Sequence, residues 1–198
     1  MKTPPLFRHV QAAVREVKIA CGVDLRKRVA DRTVLEETIF PFFIADVECV
    51  RILFVGCAWY TLVYNKMFCD KEWWTIESDE KESRFGSPGR HVVDSVQNVE
   101  RHFAPNYFDV IICNGVFGWG LNSRDDVEQA AVGMSACTRA GGVLLIGYND
   151  IPSRCPFPIA SESPALSRLT PFLFPPVDAS TYAVPNSHNN HTYLFYKK

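Results

Sequence analysis

Five short and almost uninterrupted apolar runs dominate the middle of this chain. They are Arg51-Ile-Leu-Phe-Val-Gly56, Glu72-Trp-Trp-Thr-Ile76, His91-Val-Val93, Phe108-Asp-Val-Ile-Ile-Cys113 and Val143-Leu-Leu-Ile146. A strand with one wet face alternates apolar and polar residues. A run that is apolar throughout has to be covered on both faces, as in a parallel sheet. Helical segments are expected between the runs, at Thr61 to Phe68 and Asp125 to Arg139. Asp125 and Asp126 suit the first turn of the latter, and Ala140-Gly-Gly142 breaks it. Gly86-Ser-Pro-Gly89 reads as a turn. Strand alternating with helix predicts a doubly wound α/β sheet.

The ends of the chain differ from this core. Val10, Ala13, Val14, Val17 and Ala20 form one helical stripe, and Gly22 is a stop signal. A second helical stretch is expected from about Asp24 to Phe43, with Thr33 and Glu36 as a capping box and Pro41 limiting the helix near its end. Residues 152–185 are rich in proline, so long regular elements are not expected there. Thr192-Tyr-Leu-Phe-Tyr196 reads as a closing strand. A length of 198 residues suits one domain. Its expected parts are a helical cap (1–48), a ligand-binding core (50–150) and a proline-rich segment with the last strand (151–198).

Composition sets the class. Net charge is −1, with no basic run to suggest a nucleic-acid partner. Seven cysteines without C-x-x-C spacing, several inside apolar runs, suggest reduced buried thiols and neither disulfides nor a zinc site. Met1 to Val10 lacks a long apolar core, and no run is long enough to span a bilayer. The expectation is a cytoplasmic protein with no membrane partner. His188-Asn-Asn-His191 has no carboxylate or cysteine cluster beside it, so it reads as a polar turn and no metal is expected.

In open α/β sheets, ligands bind beyond the carboxyl ends of the strands. Here those ends carry Gly56-Cys-Ala-Trp-Tyr-Thr61, Glu77, Asp94 and Asn114-Gly-Val-Phe-Gly-Trp119. Two carboxylates and a glycine turn suit a nucleoside: one acid takes the ribose hydroxyls and the other an exocyclic amino group. Cys57 and Cys113 read as small buried hydrophobes.

The residues from Arg51 to Asn149, with the last strand, resemble the class I S-adenosylmethionine-dependent methyltransferases. Arg51-Ile-Leu-Phe-Val-Gly-Cys57 is similar to the family's first strand and glycine turn. Phe108-Asp-Val-Ile-Ile-Cys-Asn-Gly-Val116 is similar to its fourth strand and following loop, and Thr138-Arg-Ala-Gly-Gly-Val-Leu-Leu-Ile146 to its entry into the fifth strand. Glu77 lies about 23 positions after Phe54, where the family carries its ribose-binding acid. Asp94 falls at the adenine-side acid. The resemblance implies a Rossmann-like, mostly parallel, seven-stranded sheet with N-terminal helices and an antiparallel C-terminal strand. It also implies S-adenosylmethionine as cofactor. The implied cofactor residues are Gly56, Cys57, Ala58, Trp59, Tyr60, Glu77, Asp94, Ser95, Asn114 and Gly115. Three positions depart from the pattern: Phe54 replaces an acid, and Ala58 and Tyr60 replace glycines. Trp59 and Tyr60 either crowd the methionine end of the cofactor or wall its sulfonium with aromatic faces.

The implied activity is methyl transfer to the oxygen, nitrogen or carbon of a small molecule. Such a transfer depends on alignment and needs a base only when the acceptor loses a proton. No catalytic residue is singled out. Asp94, Tyr148, His188 and His191 are the candidate bases, and a homodimer is left open. A nicotinamide dehydrogenase is disfavoured because Ala58 and Thr61 stand where G-x-G-x-x-G needs glycine. The rival from another class is an inactive methyltransferase-like binding or scaffold protein.

Overall fold

The computed structural model describes residues 5–198. The reading of Met1 to Val10 therefore falls partly outside the described residues. In chain order the elements are α1 (Pro5–Ala20), α2 (Ala30–Val34), a π-helical turn (Leu35–Ile39), α3 (Phe40–Ala45), β1 (Arg51–Val55), α4 (Tyr64–Met67), β2 (Glu72–Glu77) and β3 (His91–Val93). There follow β4 (Phe108–Asn114), α5 (Arg124–Cys137), β5 (Thr138–Asn149), α6 (Ile159–Glu162), α7 (Pro164–Ser167), β6 (Thr170–Pro171), β7 (Thr181–Ala183) and β8 (His191–Lys197).

The sheet runs in the order β3-β2-β1-β4-β5-β8-β6, with β7 pairing β8 off this path. The path therefore has the expected seven strands, and β7 adds a short eighth. β1 to β5 are parallel, and β8 runs antiparallel to β5. The expected Rossmann-like architecture is present.

Residues of β1 alternate between two cores. Leu53 and Val55 join Ile111, Ile146 and Met134 of α5 on one face. Ile52 and Phe54 join Ile112, Leu145 and Phe40 of α3 on the other. Two covered faces explain why these strands are apolar at successive positions. On the second face, Phe54 stacks on Trp73 at 5.5 Å, Trp73 stacks on Phe68 at 4.1 Å, and Phe40 meets Phe54, Tyr64 and Phe68 edge-on.

Several local expectations change. Thr33 and Glu36 do not form a capping box: α2 begins after Val29 with no side-chain cap. Glu36 is buried and accepts the Tyr64 hydroxyl at 2.6 Å. Pro41 does not limit the helical stretch, because it opens α3 directly after the π-helical turn. There its missing N–H removes no α-helical bond. The segment from Thr61 shortens to turns and the one-turn α4. The helix α5 ends at Cys137, and β5 runs through Ala140 to Gly142 by shifting register against β4. Ser123 and Asp126 form the capping box that starts α5, a signal overlooked in the sequence. The valine stripe of α1 is real but outward-facing, with Val10, Val14 and Val17 exposed. The proline-rich segment holds only short elements, as expected.

Phe54 is buried in the aromatic cluster against Phe40, Tyr64 and Trp73, so Phe54→Ala is expected to cost about 3–5 kcal/mol through lost contacts and a residual cavity. Urea denaturation checks this.

Candidate functional site

The register aligns the ends of four parallel strands. Val55 pairs with Ile76 and Cys113, and Cys113 pairs with Ile146. β1, β2 and β4 therefore end level with one another, at Gly56, Glu77 and Asn114, beside Gly147 of β5, which runs on to Asn149. Strand order reverses between β1 and β4, where doubly wound sheets open a crevice. A cavity of about 800 Å³ lies there, lined by Cys57, Tyr60, Glu77, Gly115 and Trp119 on the strand-tip side. Its far side is lined by Asn149 and by Asn186 to Asn189.

Glu77 stands at the end of β2. Its Oε2 accepts the Cys57 N–H at 2.8 Å, and its Oε1 accepts the Asp79 N–H at 2.8 Å. It thus ties the loop after β1 to the loop after β2. Gly56 and Gly115 have φ of 90° and 75°, a region that disfavours side chains. Ala58 is closed against Thr61, whose hydroxyl bridges both Ala58 backbone groups. Burial pushes the Cys57 thiol up to about 12, and the Glu77 charge adds to this. It remains a protonated, unreactive thiol.

Asp94 and Ser95 adjoin a smaller recess of about 60 Å³ beside Gly56 and Glu77. The Asp94 carboxylate accepts from Ser95 N, Asn98 Nδ2 and His102 Nε2, at 2.7, 2.8 and 2.7 Å. The Asn98 and His102 bonds hold its pKa below the usual value.

Trp59 and Tyr60 have different surroundings. Trp59 lines an outer apolar cavity with Ile19, Val23 and Leu62, whereas Tyr60 borders both that cavity and the crevice. Their faces are already taken by cations of this chain. Lys27 Nζ lies 3.9 Å from the Tyr60 centroid and Arg32 Cζ 5.0 Å from it. Arg15 Cζ lies 5.5 Å from the Trp59 centroid. Trp119 is an exposed rim residue with the Arg154 guanidinium stacked 3.4 Å from its ring.

Asn114 is buried and belongs to a polar cluster on the crevice floor. His191 Nε2 lies 3.0 Å from Asn114 Oδ1, and Nδ1 lies 2.8 Å from Asn149 Oδ1. Burial lowers the His191 pKa to about 4. At neutral pH the ring therefore carries a single N–H. Donating it to Asn149 leaves Nε2 as an acceptor. The buried Asn114 Nδ2, which has no partner among the described residues, completes the pair when the amide turns toward the ring. Gly147 makes room for this cluster: a Cβ there would stand 2.0 Å from Asn114 Oδ1 and 2.9 Å from His191 Nε2.

The candidate bases therefore separate. His191 is committed to two asparagines. Tyr148 is buried in the core, and burial pushes its pKa up to about 12. Asp94 faces its own turn. His188 is exposed and lines the crevice. No group of three or more His, Cys, Asp or Glu side chains is arranged to hold a metal among the described residues. Among them, no helix is long and apolar enough to cross a membrane. Sequence reasoning missed Lys27 and Arg32, which line the crevice beside Tyr60. In the sequence they are two charges among many in a polar stretch, and nothing there marks them.

No family model matches the chain, and no curated protein matches it by sequence. Solved structures do resemble it. A TehB-like SAM-dependent methyltransferase from Corynebacterium glutamicum matches 98% of this chain and 100% of its own, with TM-score 0.63 and 16% identity. The 1,6-didemethyltoxoflavin-N1-methyltransferase of Burkholderia thailandensis, solved with S-adenosylhomocysteine, matches 100% of this chain and 91% of its own, with TM-score 0.58 and 13% identity. The N-methyltransferase NodS of Bradyrhizobium japonicum matches 85% of this chain and 98% of its own, with TM-score 0.57 and 13% identity. At these identities the likeness is one of fold. The chain has the fold of the class I S-adenosylmethionine-dependent methyltransferases.

The neutral state of buried His191 makes stability depend on pH. Its folded pKa lies below the ordinary 6.5, so the unfolded chain takes up a proton that the folded chain does not. Stability is then lost as pH falls from 6.5 toward 4. The full effect is on the order of 3 kcal/mol. Urea midpoints across this window should fall more steeply for the natural protein than for His191→Gln.

Proposed function

We propose that this chain is an S-adenosylmethionine-dependent methyltransferase acting on a small polar acceptor. The observation that carries the reading is the crevice at the strand-order reversal, with the Glu77 carboxylate on its wall. Its volume of about 800 Å³ lies within the range of small-molecule sites, roughly 300–1,000 Å³.

The residues present fit the cofactor. Glu77 Oε2 accepts one N–H, from Cys57, and a carboxylate oxygen has two acceptor positions. One remains for a ribose hydroxyl. Gly56 and Gly115 keep side chains away from the tips of β1 and β4, where backbone has to approach a ligand closely. Asp94 and Ser95, around the adjoining recess, are our assignment for the adenine end. Cys57, Ala58, Trp59 and Tyr60 make up the loop on the methionine side, and Asn114 supports the floor. When bound, the cofactor supplies an electrophilic methyl group on a sulfonium.

The chain's own share of the work is to hold the two reactants in line. Asn149, Ser187, His188 and Asn189 surround the far half of the crevice with donors and acceptors, which favours a small acceptor that forms hydrogen bonds. For an acceptor that must lose a proton, His188 is the base we assign, because its ring is at the crevice and is not committed to the core.

Calorimetric titration tests the reading. Saturable one-to-one binding of S-adenosylmethionine and S-adenosylhomocysteine is expected, with none of NAD. Glu77→Ala is expected to weaken S-adenosylhomocysteine by about 30-fold, the loss of a charge-assisted hydrogen-bond partner. Unchanged affinity would remove the ribose role. Failure of the natural protein to bind either compound would overturn the methyltransferase reading.

A further inference from the structure

We propose that Lys27 and Arg32, held on the ring of Tyr60, form a receptor for a carboxylate at the edge of the strand-tip crevice. Arg32 comes from α2 and is only 8% exposed. It lines both the main crevice and the inner cavity between Gly56 and Gly115. No carboxylate lies within ion-pair distance of its guanidinium among the described residues; Glu36, the buried acid nearby, pairs with Arg26 at 3.7 Å. Among the described residues its one side-chain bond is weak, from Nη1 to the Tyr64 hydroxyl at 3.4 Å. That hydroxyl already donates to Glu36 at 2.6 Å. A buried charge with no counterion carries a large desolvation cost. The natural compensation is a ligand that brings the counterion.

Lys27 supplies the second observation. It reaches the Tyr60 ring from the segment before α2, with Nζ 3.9 Å from the ring centroid. Its pKa is held below the ordinary lysine value, first by burial and then by the Arg32 charge. Attraction to the ring offsets part of this repulsion, and an anion beside both cations would remove it. Gly115 leaves the approach open, because a Cβ there would rest in van der Waals contact with Arg32 Nη2, at 3.6 Å.

The other charges of the crevice narrow the choice of anion. Asp31, Glu77, Asp79 and Glu82 line the same cavity. Their field disfavours a dianion such as a phosphate monoester. A guanidinium fork matches the two oxygens of a single carboxylate. Two sources offer that group: the amino-acid end of the cofactor, which rests on the methyltransferase reading, and an acidic acceptor.

The test is calorimetry on the full chain with S-adenosylhomocysteine and with methylthioadenosine, which lacks the amino-acid end. Acetate, pyruvate and benzoate are titrated separately into the free and nucleoside-loaded protein. The proteins are the natural chain, Arg32→Ala and Lys27→Met; Lys27 lies at the surface with only part of its side chain covered, so the second variant is expected to fold even where the first does not. For a cofactor carboxylate, the natural chain prefers S-adenosylhomocysteine by at least about tenfold, one hydrogen-bonded charge pair. Either variant shrinks that preference while leaving methylthioadenosine binding intact. For an acceptor acid, the variants leave both nucleosides unchanged but lose binding of the small carboxylates. If neither the preference nor carboxylate binding changes in a folded variant, the receptor is overturned. If the natural chain binds no nucleoside, the methyltransferase reading fails by itself, and the carboxylate titration of the free protein then decides the receptor: binding that either variant loses sustains it, and no binding overturns it.

Discussion

Burial of β1 and β4 on both faces sets the position of everything at the crevice. Because α5 covers one face and the α2–α3 segment the other, the two strands cannot slide without moving apolar side chains out of a packed core. Their ends are therefore fixed against each other, and strand order reverses where both stop. The Glu77 carboxylate then joins the loops after β1 and β2 through two backbone N–H groups. A polar group at a strand end organises the site only because the strands beneath it have nowhere else to go.

Two aromatic residues stand where the methyltransferase resemblance has an acid and a glycine, and they meet opposite fates. Phe54 turns inward and becomes part of the packing that holds α3 and α4 to the sheet. Tyr60 turns to the surface of the loop and binds cations from the N-terminal segment. A ring that already has Lys27 at 3.9 Å and Arg32 at 5.0 Å is not a free surface for a further cation. The loop after β1 is therefore better described as a mount for the N-terminal segment than as a wall of exposed rings.

The central strands were legible because their burial pattern is written directly in successive apolar residues. Glu77 was legible as a strand end for the same reason. The N-terminal third was harder to read. Helical spacing identified α1, but spacing says which residues share a face and not whether another element covers it. The valines of α1 face outward. Thr33 and Glu36 matched a capping box by spacing, yet the helix had already begun, and Glu36 was drawn into the interior by Tyr64. Arg32 lay beyond reach for a related reason: what distinguishes it is that no counterion stands beside it among the described residues, and a sequence lists charges without their neighbours.

The floor of the crevice is built from parts that cannot vary one at a time. Asn114, Gly147 and His191 come from β4, β5 and β8, three neighbouring strands of the sheet. The bare Cα of Gly147 is what lets the asparagine and the histidine meet. A larger residue at 147 needs a smaller one at 114 or 191, and each exchange alone leaves either an overlap or an orphaned polar atom. Lineages carrying this floor are thus expected to keep all three residues or to replace them together, so that these positions drift as a linked set.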